Sequence, residues 1–126
     1  MRKSYGLVSL LVLALVLVAG FGVTQWQQVK AKESFTVIEH ATTDTVADLG
    51  EKGDSIGDTL TFGNELYDDQ NANVVGSSDG TCWRTKPGKT WECTWTNTLE
   101  DGSIVVQGPF YDSGDSTLAI TGGTGS

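Results

Sequence analysis

The sequence predicts an antiparallel all-β domain behind an apolar N-terminal segment. Three observations point that way. Thr90 to Leu99 alternates apolar and polar side chains without a break, the period of a strand. Short β-branched runs recur between turn-forming clusters, and the chain holds 16 glycines. No amphipathic helix of useful length follows residue 33.

Residues 1–32 read as a targeting segment with its linker. Arg2 and Lys3 form a positive head, and Leu7 to Val23 is apolar apart from Ser9 and the glycines. As a helix that run is about 25 Å long at 1.5 Å per residue, slightly short of a bilayer core of about 30 Å. A cleaved signal peptide and a retained membrane anchor using residues 5–23 are therefore rivals. Either exports the remainder, which is expected to be secreted or held at the outer face of the cytoplasmic membrane.

Residues 33–126 are expected to be the folded domain. A strand is expected over Ser34 to His40, with Phe35, Val37 and Glu39 on one side, and a strand fragment over Thr43 to Val46. The next strand runs from Asp58 to Tyr67, with Leu60 and Phe62 on one face, and Gly63 marks a bulge or barrel corner. Short strands follow at Asn73 to Gly76 and Gly80 to Thr85. In Thr90 to Leu99, Trp91, Cys93, Trp95, Asn97 and Leu99 share one face. Asp101-Gly102 is a two-residue hairpin signal that sets Leu99 opposite Ile104 and places Ile104, Val106 and Gly108 on the tryptophan face. A last strand is expected from about Asp115 to Thr121, with Gly122-Gly123-Thr124-Gly125 as a turn.

After Lys32 the chain carries 16 acidic side chains against 4 basic ones, a balance of −12. Such a surface disfavours nucleic acid and anionic lipid. Two cysteines in an exported domain favour a disulfide. If Lys86 to Lys89 form a four-residue loop, Cys82 falls directly opposite Cys93 in a non-hydrogen-bonded pair. A Pro-Gly loop of two residues aligns the cysteines equally. Without a nearby histidine they complete no zinc site, and no metal is expected. Asp112, Asp115 and Ser116 read as turn chemistry, and His40 as strand surface.

The segments GDTLTFGNELYDD (57–69), VGSSDGTC (75–82), VQGPFYDSGDS (106–116) and AITGGTG (119–125) resemble the allene oxide cyclase family and the related dirigent proteins. The resemblance spans about residues 35–126 and implies an antiparallel β-barrel, eight-stranded when complete, around a hydrophobic cavity. Family members continue past the glycine-rich end, so the barrel is expected to be incomplete here, with the chain truncated at its C-terminus. Asn64 matches an asparagine that helps hold a catalytic water, Leu60 an apolar cavity residue, and Cys82 a cysteine of the cavity wall. The family's glutamate corresponds to Val37 in the best register, with Glu39 nearby, and its proline has no counterpart between Glu33 and Lys86. The candidate catalytic residues are thus Asn64 and Glu39. Leu60, Phe62, Trp91 and Trp95 are candidate ligand-binding residues, although the two tryptophans serve equally well as core. The implied function is binding of a small hydrophobic molecule with little or no catalysis. The alternative is an isomerase or cyclase, or a dirigent-like stereoguide, enclosing a reactive lipid or polyketide-type substrate. No cofactor is implied, and plant relatives suggest a homo-oligomer.

Overall fold

The computed structural model describes residues 33–125, and one compact unit comprises Phe35–Ser126. The apolar segment expected over residues 1–32 lies outside the described residues. Within them no helix is long and apolar enough to cross a membrane.

Seven strands form one antiparallel sheet: β1 (Ile38–His40), β2 (Thr45–Ala47), β3 (Thr59–Tyr67), β4 (Val74–Lys86), β5 (Thr90–Leu99), β6 (Gly102–Tyr111) and β7 (Ala119–Gly125). The order is β1-β3-β4-β5-β6-β7, and β2 also pairs with β3. β1 covers Glu65 to Tyr67 and β2 covers Thr59 to Thr61, so together they act as one interrupted strand along the outer edge of β3. Among the described residues that edge does not pair with β7, and the sheet does not close on itself.

The alternation of β5 is realised as expected. Cys93, Trp95 and Asn97 lie opposite Gly108, Val106 and Ile104, so all share the inner face. The other face carries Thr94, Thr96 and Thr98, which suits a solvated sheet surface.

Several expectations are corrected. The hairpin turn is Glu100-Asp101, with Leu99 opposite Gly102, a displacement of two residues from the expected register. Neither turn residue has a positive φ, whereas Gly102, at φ 150°, lies against the backbone of Thr124 and Gly125. The glycine thus serves close packing of β6 on β7 and not the turn corner. A two-residue slip preserves the pleat parity, so the face assignments survive. The glycines of 122–125 are likewise no turn: they form β7, with Gly125 opposite Gly102 and Gly123 opposite Ile104. Thr121 is the extra residue of a bulge between the Val105 and Val106 pairings.

Gly63 stands in register with Asp79, and the bulge falls instead between Leu66 and Tyr67, where Val75 is the extra residue. The two strands expected over 73–76 and 80–85 are the single strand β4. Its inner positions Gly76, Ser78, Gly80 and Cys82 imitate a turn in composition, but their smallness serves packing. A Cβ on Gly80 would collide with the Cβ of Trp95, and one on Gly76 would meet the Thr98 carbonyl. Large side chains of β3 and β5 close over this stripe.

The β4–β5 connection is a Lys86-Pro87-Gly88-Lys89 turn, closed by the Lys89 amide on the Lys86 carbonyl at 3.0 Å, with Gly88 at φ 69°. Proline then glycine in these positions is type II chemistry, which splays hairpin strands. A bulge at Thr85 absorbs the misfit, because Lys86 faces Thr90 while Arg84 still faces Trp91. Cys82 therefore lies opposite Cys93, and the disulfide joins them with their Cα atoms 4.0 Å apart. The two cysteines and Leu66 are the only fully buried hydrophobic residues among those described.

The segment from Asp48 to Asp58 has no regular structure and is held by side chains. Asp58, buried, accepts the Leu49 amide at 2.8 Å and the Ser55 amide at 3.0 Å. Those bonds, Ser55 foremost and then Leu49, hold its carboxyl below the ordinary 3.8 despite burial. Arg84, 8% exposed, binds Asp54 at 2.6 Å and Asp112 at 2.7 Å, and its guanidinium lies 4.0 Å from the Trp91 ring centroid. Burial opposes this cation, but the two carboxylates outweigh it and raise its pKa.

Three expectations follow. Intact-mass analysis with alkylation before reduction should show no modified thiol, and two after reduction. Cys82→Ser with Cys93→Ser should lose about 3 kcal/mol in urea denaturation, the chain-entropy value for so short a loop. Asp58 has a folded-state pKa below its unfolded one, so its contribution is complete above 3.8 and fades as pH falls through the folded value. The urea midpoint should accordingly drop between about pH 5 and about pH 3, and drop less in Asp58→Asn.

Candidate functional site

A cavity of about 170 Å³ opens on the inner face of the sheet. Leu60 and Phe62 of β3, the Cys82–Cys93 disulfide, Trp95 of β5 and Phe110 of β6 wall it, while Glu39, Ala41 and Asp44 form its rim. Since β1 and β6 stand at distant places in the strand order yet line one small cavity, the sheet must be strongly curved there. Trp95 meets Phe62 edge-on at 6.1 Å and 65°, and Phe110 at 6.3 Å and 78°, the favoured geometry for aromatic pairs.

The rim is organised by Asn64, which is 2% exposed and sits where β3 passes from its β2 partner to its β1 partner. Its Oδ1 accepts the Thr43 hydroxyl at 2.7 Å and the amides of Thr43 and Thr42 at 3.0 and 3.2 Å. Its Nδ2 donates to Glu39 Oε1 and to Asp44 Oδ1, each at 2.8 Å. The reversed amide would set its oxygen against two carboxylates and its NH₂ against two N–H groups, so the orientation is fixed by its partners. The Thr43 hydroxyl in turn accepts the Gly63 amide at 2.8 Å. One side chain therefore folds the β1–β2 corner onto β3 and presents two carboxylates, from opposite sides of that corner, to the cavity.

The structure brings together six of the residues singled out in the sequence: Glu39, Leu60, Phe62, Trp95, Cys82 and Cys93. Asn64 lies behind them as the group that positions the rim carboxylates. Its amide nitrogen and oxygen are fully engaged within the protein, so orienting a water, the role implied by the resemblance, is not what these contacts display. Trp91 shares the face but stacks under Arg84 in a second recess with Val46, Asp48, Asp54 and Asp58. Val37 does not line the cavity. Asp112 is an Arg84 partner, and Ser116 Oγ accepts the Tyr111 amide at 2.9 Å. His40 stacks on Tyr67 at 3.8 Å and bonds Asn71 at 2.6 Å, an exposed contact away from the cavity.

Asp44 and Phe110 escaped the sequence reading. Asp44 resembles any acid in the Thr- and Asp-rich stretch after His40, and only the corner geometry distinguishes it. Phe110 carried a legible signal: it falls two residues beyond Gly108, in phase with the inner face of β6. Among the described residues, no cluster of histidine, cysteine and acidic groups could hold a metal ion.

Replacing Asn64 by leucine, which keeps the branching at Cγ and the number of side-chain heavy atoms, should lower stability by about 2–3 kcal/mol, the cost of stranding buried polar partners. Hydrogen exchange at Thr42 and Thr43 should accelerate in that variant while the β4–β5 amides stay protected. Equal protection at the corner would show that the carboxamide does not hold it.

No family model matches the chain. Among solved structures it is similar to pyocyanin demethylase, with 28% identity and a TM-score of 0.62 over 71% of this chain and 75% of that one.

Proposed function

We propose that this chain is an exported, barrel-like protein of the allene oxide cyclase type that holds a small, mainly apolar molecule, with little or no catalysis. The observation that carries this reading is the cavity, whose wall is three aromatic rings, one leucine and a disulfide. Its volume of about 170 Å³ resembles the roughly 150 Å³ of an apolar cavity that admits benzene. One ring fits inside, and any larger ligand extends past Glu39 and Asp44. The disulfide supports export, since such bonds persist in oxidising compartments. The apolar run from Leu7 to Val23 supports it too. Among the described residues the outer edge of β7 pairs with no strand, which is compatible with a homo-oligomer or further strands.

A second reading, an enzyme that encloses a reactive substrate, is favoured by the two carboxylates that Asn64 fixes at the cavity rim. Carboxylates at hydrogen-bonding reach of a bound molecule suit proton transfer in an isomerase or cyclase. The demethylase neighbour also bears a name that makes it an enzyme acting on a small molecule.

Titration with an apolar fluorescent dye tests both. The protein should enhance the dye's emission, and Phe62→Ala or Trp95→Ala should weaken binding about tenfold, the loss of roughly 1.4 kcal/mol of contact. Unchanged affinity in both variants sinks the cavity reading. Turnover of an allylic epoxide that disappears in Glu39→Gln selects the enzyme; dye binding without turnover selects the carrier.

A further inference from the structure

Two tryptophans of β5 each share a recess with carboxylates, and the chain supplies a cation to only one of the two recesses. In the recess beside the Asp48–Asp58 segment, the Trp91 ring and the carboxylates of Asp54 and Asp112 surround a cation supplied by the chain, the Arg84 guanidinium. Four residues along β5, Trp95 stands with two further carboxylates, Glu39 and Asp44, on the lining of one cavity. No lysine, arginine or histidine is among the residues lining that cavity. Asn64 Nδ2 donates to both carboxylates, and neither forms a salt bridge among the described residues.

We propose that the ligand of this cavity is an organic cation with an apolar body, such as a quaternary ammonium compound. The proposal rests on the reading of the cavity as a ligand site and names the class it selects. Aromatic rings attract a cation through their electron-rich faces, and the contact strengthens as the cation is desolvated. The rim carboxylates add attraction for a positive headgroup and repel a carboxylate, so a free fatty acid is disfavoured. Because Glu39 and Asp44 are exposed, this attraction is screened by salt and sets a preference of modest size.

The test compares phenyltrimethylammonium with tert-butylbenzene, molecules of the same shape that differ in charge. Binding is followed on the folded domain through the Trp95 indole N–H resonance, with the Trp91 resonance as internal control. At low ionic strength the cation should bind about tenfold more tightly than the hydrocarbon. That preference should shrink at high salt, and in the Glu39→Gln, Asp44→Asn double variant it should fall to what the aromatic rings alone supply and lose its salt dependence, while tert-butylbenzene binding to the unaltered protein should show no loss at high salt. The amide oxygens of the variant still accept from Asn64, so the corner is kept, and the salt dependence of the unaltered protein needs no variant at all. Equal affinity for the two probes overturns the cation proposal and leaves the apolar cavity standing. Failure of both probes to shift Trp95 removes the cavity reading as well.

Discussion

The carboxamide of Asn64 is the constraint on which the site depends. Its five hydrogen bonds tie a corner with no ladder partners of its own to the third strand, and they decide where Glu39 and Asp44 lie. The chain between β1 and β2 departs from the edge of β3 at Phe62 to Asn64, leaving the Thr43 amide to be satisfied, while the Thr42 amide is shared with the His40 carbonyl at 2.9 Å. A buried amide with two donors and an oxygen acceptor meets that need and collects two acidic side chains in the same step. The rim of the cavity is thus a by-product of how the edge strand is interrupted.

The domain has little conventional core. Leu66 and the two half-cystines are its only fully buried hydrophobic residues among those described, whereas Ser55, Asp58, Asn64, Ser78 and Arg84 are buried and polar. A small domain in that position relies on crosslinks and satisfied polar clusters. The disulfide fastens the central strand pair. Asp58 and Arg84 fasten the irregular segment that precedes β3, and Arg84 spreads its charge over an indole and two carboxylates. Apolar side chains that would fill a core elsewhere are left to line a cavity here.

A curved antiparallel sheet here presents aromatic residues from β3, β5 and β6 to one small volume. Such a scaffold places polar groups only where a strand edge or corner approaches the cavity. Function on it is therefore decided by a few rim residues and not by the sheet itself.

Much of this was legible along the chain. The period-2 alternation of Thr90 to Leu99 determined the inner face of β5, and parity carried it to Ile104, Val106 and Gly108 even though the turn sits two residues earlier. Counting outward from Pro87-Gly88 through a two- or four-residue loop led to the Cys82–Cys93 pairing, and the pairing is realised, but through Lys86 opposite Thr90 and a compensating bulge at Thr85 that the count did not contain. Glu39, Leu60, Phe62 and Trp95 were identified as candidates and do meet at one cavity. What composition concealed were strands built from glycine and serine. Gly76 to Gly80 and Gly122 to Gly125 have turn composition, yet each lies within a strand where missing Cβ atoms admit a neighbouring backbone or the Cβ of Trp95, a reason visible only from the neighbour's side. Only the tertiary structure separated Trp91 from Trp95, since Arg84 claims the first and leaves the second free. It alone joined Asp44 to Glu39 as well, because hydrogen bonds across a corner depend on distances in space that no local pattern encodes.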